Sequence, residues 1–256
     1  SGLFPRVAAP VTFEFNVGNR RIISGSGVHD SSAALMPYLV SMKEPFLLLS
    51  TGTWNICFNP FNADPLTSDE LEKDCLCYLT FEGKPVKASR IFLGHEYEVQ
   101  QRALAKHFGL DENAHKTTMF DESIYKSLLT TGGSRKRFYP MAMEGTGPLP
   151  QKQTQPTDYT DFLNFPEDQH QLMRDLVSWQ RLSIDLVDPQ KKVRNIILVG
   201  GFSKSALFLE ILKRELPDRR VLLSEHPRGS ALGAAWLTHE KTAYEGAAKL
   251  LGVRAV

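Results

Sequence analysis

Three short apolar runs that end in glycine and small polar residues constrain the fold of this chain more than any other feature. One leads into Ser-Gly-Ser-Gly at 24–27, one at 45–50 into Thr-Gly-Thr, and one at 195–199 into Gly-Gly. A strand that stops at glycine leaves backbone amides free to approach a ligand, and successive free amides form an anion nest. Residues 206–212 then have helical apolar spacing, which completes a strand–turn–helix unit of the kind that presents a helix N-terminus to a nucleotide.

Two of these runs carry side chains suited to phosphoryl transfer. Asp30 follows the first run and can accept a proton, while Thr51 and Thr53 flank Gly52 and can hold phosphate oxygens. The late Gly-Gly turn matches neither the Walker loop nor the dinucleotide fingerprint, so by itself it does not indicate a nucleotide site. Its interpretation depends on the other two segments. Together the segments predict a site where one acid activates a hydroxyl and one loop holds phosphates.

Each of these residues also has a simpler structural interpretation. Asp30 could merely cap the helix that follows it, and the Thr-Gly-Thr segment could be only a hairpin turn. Gly200 and Gly201 could form nothing more than a tight connection, and His29 is either a packed neighbour or a sugar contact. We favour phosphoryl transfer because the acid, the hydroxyl turn and the glycine turn occur together.

The spacing of apolar residues predicts an α/β fold. Alternation indicates a hairpin with strands at 11–15 and 20–24, then strands at 45–50 and 54–58 joined at the Thr-Gly-Thr turn, with a strand around Cys75 and Cys77. Helices are predicted at 31–40, with Asp30 or Ser31 as the N-cap, at 96–108 ending at Gly109, at 121–129 and at 169–187. A long loop is predicted at 132–157 because it is rich in Gly, Pro, Thr and Gln.

Several charged and aromatic residues are predicted to lie outside the site. We predict a solvent-exposed helix face that includes His95, Glu96 and Glu98. The Arg-Lys-Arg run at 135–137 is predicted to be surface charge on the long loop. Trp54 and Trp179 read as core residues.

The three segments together resemble the FGGY family of sugar kinases, within the actin, Hsp70 and hexokinase superfamily. The resemblance implies an RNase H-like α/β domain with a mixed sheet flanked by helices. It implies that Asp30 is the catalytic base, that Thr51, Gly52 and Thr53 meet the ATP phosphates, and that the late Gly-Gly turn holds adenosine.

The resemblance extends in register to the last tenth of the chain. Residues 230–235, Ser-Ala-Leu-Gly-Ala-Ala, are similar to the family's closing helix, and Ser205 stands where an asparagine is common at the nucleotide site. His29-Asp30-Ser-Ser-Ala-Ala and the Ser-Thr-Gly-Thr-Trp segment at 50–54 look most like the rhamnulokinase and fuculokinase branch. His29 is therefore a candidate sugar contact.

What the resemblance implies is ATP- and Mg²⁺-dependent phosphorylation of a ketose or deoxyketose such as rhamnulose, fuculose or xylulose. Family members have two domains and nearly twice this length, so residues 1–256 are predicted to be the C-terminal, nucleotide-binding half. Partners would be the sugar, ATP and an N-terminal sugar-binding domain, with a homodimer left open. Two alternatives also remain open: a non-catalytic actin-like nucleotide- or sugar-responsive module, and an NTPase of the Hsp70 or actin type in which water is attacked.

The composition narrows the choice of partners. Thirty Lys and Arg against 29 Asp and Glu leave a formal net charge of +1, so no basic field favours nucleic acid or an anionic membrane. No apolar run approaches the roughly 18 residues needed to span a bilayer. Three cysteines without metal-ligand spacing indicate no zinc site and a reduced, cytoplasmic setting.

Overall fold

A mixed seven-stranded sheet is the largest element of the computed structural model, which describes residues 12–25, 27–130, 137–149, 156–162, 164–224, 229–237 and 251–256. The described strands are β1 (Thr12–Val17), β2 (Arg20–Gly25), β3 (Phe46–Thr51), β4 (Asn55–Asn59), β5 (Cys75–Leu79), β6 (Pro85–Ile91), β7 (Asn195–Gly200), β8 (Arg220–Leu223) and β9 (Arg254–Ala255). The described α-helices are α1 (Asp30–Ser41), α2 (Ser68–Glu72), α3 (Leu93–Phe108), α4 (Glu122–Thr130), α5 (Phe165–Val187), α6 (Ala206–Glu215) and α7 (Gly229–Trp236).

The two apolar runs singled out in the sequence become neighbouring central strands. The sheet order is β5-β6-β4-β3-β7-β8-β9, in which β3, β7 and β8 are parallel and β4, β6 and β5 continue antiparallel from β3. Leu47, Leu48 and Leu49 are all buried, as expected for a strand that is covered on both faces. The register sets Thr51 beside Gly200, so both predicted turns lie at the same edge of the sheet.

Helices cover both faces of this sheet. Helix α1 packs with α7 on one face, where Leu35 and Tyr38 join Leu48 in one buried cluster. The other face carries α3, α5 and α6, whose apolar side chains form the larger cluster with Leu47 and Leu49. The mixed sheet flanked by helices predicted for an RNase H-like domain is therefore confirmed.

The early hairpin forms a separate two-stranded sheet. β1 and β2 pair antiparallel, with the predicted turn at Gly18 and Asn19. Phe13, Phe15 and Val17 lie on one face of the hairpin and are exposed.

The helix that carries the candidate base begins one residue earlier than predicted. Neither Asp30 nor Ser31 is its N-cap. His29 holds that position, with extended backbone angles, and its Nδ1 accepts a hydrogen bond from the Ser31 amide at 3.2 Å. A histidine is a rare cap, which explains why the sequence pattern favoured the acid and the serine beside it.

Helix α3 ends as predicted but buries a residue that was expected in solvent. Gly109 closes it in the left-handed conformation at φ 63°. The prediction of a solvated face is wrong for Glu96, which is fully buried. Its carboxylate accepts hydrogen bonds from the amides of Met141 and Ala142 and from Gln100 Nε2, so hydrogen bonds replace the water that the charge loses.

Three carboxylates hold residues 137–149, the longer described part of the predicted long loop. Glu96 holds its middle, Asp175 accepts from the Phe138 amide at 2.9 Å, and Asp74 accepts from the Gly147 amide at 2.9 Å. Of the basic run, Arg137 is exposed, and positions 135 and 136 lie outside the described residues.

Strands β6, β8 and β9 were not predicted, and the buried polar residues of β6 explain why that strand was missed. It contains Lys87, which is almost fully buried because its ammonium pairs with Glu70 at 2.7 Å. It also contains Ser89, which is buried and donates to the Ser183 carbonyl at 2.6 Å. Buried polar side chains of this kind disrupt the apolar pattern from which strands are predicted.

The remaining sequence predictions concern single side chains. Neither tryptophan is fully buried in the core as predicted: Trp179 is partly buried against the larger cluster, and Trp54 is half-buried between Phe92 and the guanidinium of Arg90. All three cysteines are free thiols. Within the described ranges, no helix has the length and hydropathy needed to cross a bilayer, and no group of three acidic, His or Cys residues is arranged to hold a metal ion.

Candidate active site

Asp30 projects from the first turn of α1 and is accessible to a ligand. Its side chain is 82% exposed, and Oδ1 accepts from the Ser31 amide at 2.7 Å. His29 Nδ1 lies 3.0 Å from the same oxygen, and the His29 ring packs on Tyr78 with centroids 5.1 Å apart. In the described part of the chain, Oδ2 has no hydrogen-bond donor, so it is the oxygen available to accept a substrate proton.

Asp30 and the late glycine turn line the same cleft. This cleft has a volume of about 370 Å³ and opens between α1, the N-terminus of α7 and the ends of β3 and β7. Ser50, Val199, Gly200 and Ser230 contribute to its walls. Ligands of open α/β sheets bind at the carboxyl ends of the strands, and this cleft has that position.

Gly200 is required at its position by two independent constraints. Its φ is +94°, which side chains with a Cβ rarely adopt, and a Cβ there would lie 1.8 Å from the Thr51 carbonyl oxygen. The contact lets β7 turn sharply into the short 3₁₀ helix Gly201–Lys204. Gly201 is exposed and presents bare backbone to solvent, but neither Gly201 nor the Gly52–Thr53 turn is among the residues that line the cleft.

Ser205 has a structural function at the start of α6. It is the N-cap, and its Oγ accepts from the Phe208 amide at 3.2 Å. Its hydroxyl proton stays available, because accepting that bond uses only a lone pair. Ser205 and the glycine turn thus lie on one strand–turn–helix unit, as the sequence predicted.

Thr51 and Thr53 have different environments, although the sequence treats them alike. Thr51 is buried; its Oγ1 donates to the Val199 carbonyl at 2.6 Å and accepts from the Phe202 amide at 3.1 Å. Its only hydroxyl proton is therefore already used, and Thr51 ties the first turn to the second. Thr53 is exposed, and neither its hydroxyl nor its amide bonds to another described residue.

A contact that the sequence did not reveal supports this turn from behind. A Cβ at Gly94 would lie 1.9 Å from the Gly52 carbonyl oxygen, so the start of α3 packs directly on the turn. The His95 amide donates to the Thr53 carbonyl at 3.2 Å. A glycine at the start of an otherwise amphipathic helix was the signal that could have indicated this close approach.

Comparison with known proteins identifies the family to which this architecture belongs. The family model described as "Carbohydrate kinase FGGY, C-terminal domain" matches residues 43–246. The chain belongs to this family. No curated protein sequence gives a significant match.

Solved structures similar to this FGGY domain include three kinases. A carbohydrate kinase from Novosphingobium aromaticivorans superposes with a TM-score of 0.59 at 22% identity, over 82% of this chain and 44% of that one. The xylulose kinase from Bifidobacterium adolescentis gives 0.61 at 16% identity, over 90% and 42%. The Plasmodium falciparum glycerol kinase with ADP gives 0.55 at 14% identity, over 90% and 46%.

The family model and these likenesses together show the actin-like ATPase fold of the FGGY C-terminal domain. The chain spans less than half the length of each of these three kinases. The match covers β3 through β8 and helix α7, so the Thr-Gly-Thr and Gly-Gly turns both lie inside it, whereas Asp30 precedes it and β9 follows it.

Proposed function

We propose that this chain is the nucleotide-binding C-terminal domain of a kinase that transfers the γ-phosphoryl group of ATP to a sugar hydroxyl. One observation carries the proposal: Asp30 and the Gly200 turn line one cleft at the carboxyl ends of β3 and β7 in an FGGY domain. A base and a nucleotide turn must share a cleft if phosphoryl transfer is to occur between their ligands.

The phosphates would be held at the Gly52–Thr53 turn. Thr53 supplies a hydroxyl and an amide without acceptors among the described residues, and Gly52 keeps the surface beside them free of a side chain. Gly200 and Gly201 would receive adenosine, because bare backbone there permits close approach. Ser205 would direct its free hydroxyl proton toward the nucleoside.

Asp30 would act as the general base. Its Oδ2 would take the proton of the sugar hydroxyl while that oxygen attacks the γ-phosphorus, and the bond from phosphorus to the β–γ bridging oxygen would break to release ADP. The base contributes modestly, since positioning and charge neutralisation dominate phosphoryl transfer. His29 would contact the sugar from the adjacent position.

Mg²⁺ fits this site as an ion held chiefly by the nucleotide. Described residues offer no cluster of three ligands, and Mg²⁺ usually retains several waters while binding one or two carboxylates and the phosphates. It would neutralise phosphate charge; Asp30 is the carboxylate of the cleft that could hold its waters.

The substrate class is a ketose or deoxyketose. The His29-Asp30 motif and the Ser-Thr-Gly-Thr-Trp segment support rhamnulose or fuculose over xylulose. A second domain, N-terminal to this one in the full-length protein, would supply most sugar contacts. The free thiols at Cys57, Cys75 and Cys77 agree with a cytoplasmic setting.

The decisive experiment measures ADP release by the full-length protein with a panel of rhamnulose, fuculose, xylulose and glycerol. Asp30→Asn keeps size and the contact to the Ser31 amide but removes the base, so kcat should fall by roughly 10²–10⁴-fold with ATP affinity little changed. Asp64→Asn removes an exposed loop carboxylate and is the matched control.

Three outcomes would count against the proposal. A sharp loss of melting temperature in Asp30→Asn with normal kcat would make Asp30 a helix-capping residue. Nucleotide binding without phosphorylation of any sugar would favour the non-catalytic module, and sugar-independent ATP hydrolysis would favour the actin-type NTPase.

A further inference from the structure

A buried pair of amide side chains connects the Gly52–Thr53 turn to helix α5. Asn55, at the start of β4, and Gln180, in the middle of α5, are both fully buried. Asn55 Nδ2 donates to Gln180 Oε1 at 2.8 Å, and Asn55 Oδ1 accepts from the Gly52 amide at 3.3 Å. The Gly52 amide also donates to the Trp54 carbonyl at 3.2 Å, so it is directed into the protein.

The Gly52 amide fixes which way the Asn55 amide faces. The Gly52 N–H can only donate, so it requires Asn55 Oδ1, and the NH₂ of Asn55 then faces Gln180 Oε1, which accepts from it. Among the described residues, Gln180 Nε2 has no hydrogen-bond partner. Burying an amide with an unpaired donor is unfavourable, so packing alone does not account for glutamine at this position.

The same β4–α5 interface offers a comparison. Asn59, four residues along β4, is also buried, and its Nδ2 donates to the Val187 carbonyl at 2.9 Å. Its Oδ1 accepts from the Phe61 amide, away from the turn. Both asparagines join β4 to α5, but only Asn55 also contacts Gly52.

We infer that Asn55 and Gln180 are positioning residues for nucleotide phosphates. By holding the Gly52 amide inward, Asn55 leaves the amide and hydroxyl of Thr53 on the outer side of the turn. Gln180 accepts from the Asn55 NH₂ and so holds the Asn55 side chain in place against the turn. This inference rests on the proposed function, because it assigns the ligand of the turn as a phosphate.

The test compares Asn55→Leu with Asn59→Leu in the full-length protein. ADP affinity is measured by titration calorimetry, KM for ATP and for the sugar by steady-state kinetics, and stability by thermal melting. Both variants lose a buried polar tie between β4 and α5 and should melt earlier. Only Asn55→Leu should weaken ADP binding and raise the KM for ATP, by roughly three- to tenfold, with the sugar KM within about twofold of wild type.

Gln180→Met provides a second variant if Asn55→Leu does not fold. It keeps volume and removes the acceptor that holds Asn55 in place, so it should raise the KM for ATP in the same direction. Unchanged nucleotide affinity in the folded variants, or an equal loss in Asn59→Leu, would overturn the positioning role. Nucleotide binding without sugar phosphorylation by the wild type would end the proposed function instead, and the comparison of ADP affinities would still decide the inference.

Discussion

At the scale of single residues, neighbours in the sequence lie in unlike environments. Thr51 and Thr53 flank one glycine, yet β-pairing directs the first hydroxyl into the sheet and leaves the second exposed. His29 and Asp30 at the start of α1 differ in a similar way: the His29 imidazole is the N-cap of the helix, whereas the Asp30 carboxylate lines the cleft. The sequence predicts that a site exists here, but the direction of each side chain follows from strand register and helix start.

Valine substitutions should separate the two threonines. Thr53→Val would remove the proposed hydrogen bond to a charged phosphate, worth about 1.5–3 kcal/mol, so nucleotide KM should rise and kcat should fall in steady-state assays. Thr51→Val loses two buried backbone contacts, and its melting temperature should fall by roughly 3–8 °C. Reversed effects, with Thr53→Val the less stable variant and Thr51→Val the weaker nucleotide binder, would assign the phosphate to Thr51.

At the scale of elements, the loop at 137–149 is anchored by Asp175, a carboxylate whose pKa is raised. Burial raises the pKa of Asp175 to about 6, although the Phe138 amide and Gln171 Nε2 hydrogen bonds oppose this change. The folded state therefore binds a proton more tightly than the unfolded chain. The contribution of Asp175 to stability is most favourable below about pH 4 and declines as the pH rises to 6.

Asp175→Asn removes the charge and keeps an acceptor for the Phe138 amide. We expect its melting temperature at pH 7 to exceed that of the wild type by about 2–4 °C, and the difference to vanish below pH 4. Asp64→Asn, on an exposed loop, should show no such pH dependence. If Asp175→Asn melts earlier at every pH, the hydrogen bonds to the carboxylate outweigh its burial.

The elements that could be predicted are those whose side chains repeat a simple pattern. β3 and β7 are continuous apolar runs because helices cover both sheet faces, and α5 shows a clear apolar stripe. Strand β6 could not be predicted because Lys87 and Ser89 are polar yet buried, and the partners that satisfy them, Glu70 and Ser183, are distant in sequence. Glu96 appeared solvated for the same reason: its partners, the amides of the 141–142 segment, give no sequence signal.

At the scale of the whole molecule, the cleft described here is one wall of the proposed kinase site. Asp30 is largely exposed and the Gly52–Thr53 turn is open to solvent. Phosphoryl transfer requires that water be excluded and that the acceptor hydroxyl be aligned with the γ-phosphorus. A domain on the opposite side would provide both.

The 256-residue chain alone should therefore bind ADP weakly and show no measurable sugar kinase activity. Titration calorimetry and a coupled ADP assay on the isolated, folded chain test this, with circular dichroism melting as the check on folding. Turnover by the isolated chain at a rate comparable to the full-length protein would contradict the two-domain proposal.

The Thr51 hydroxyl has a consequence for how a nucleotide would be bound. Because it bonds the backbone on both sides of Gly200, the ends of β3 and β7 are fastened together before any ligand arrives. If the enzyme opens and closes, the turn after β3 and the turn after β7 would then move together as one rigid body. The conformational entropy of this surface is already lost when the protein folds. ATP binding would therefore carry little additional cost for ordering the two turns.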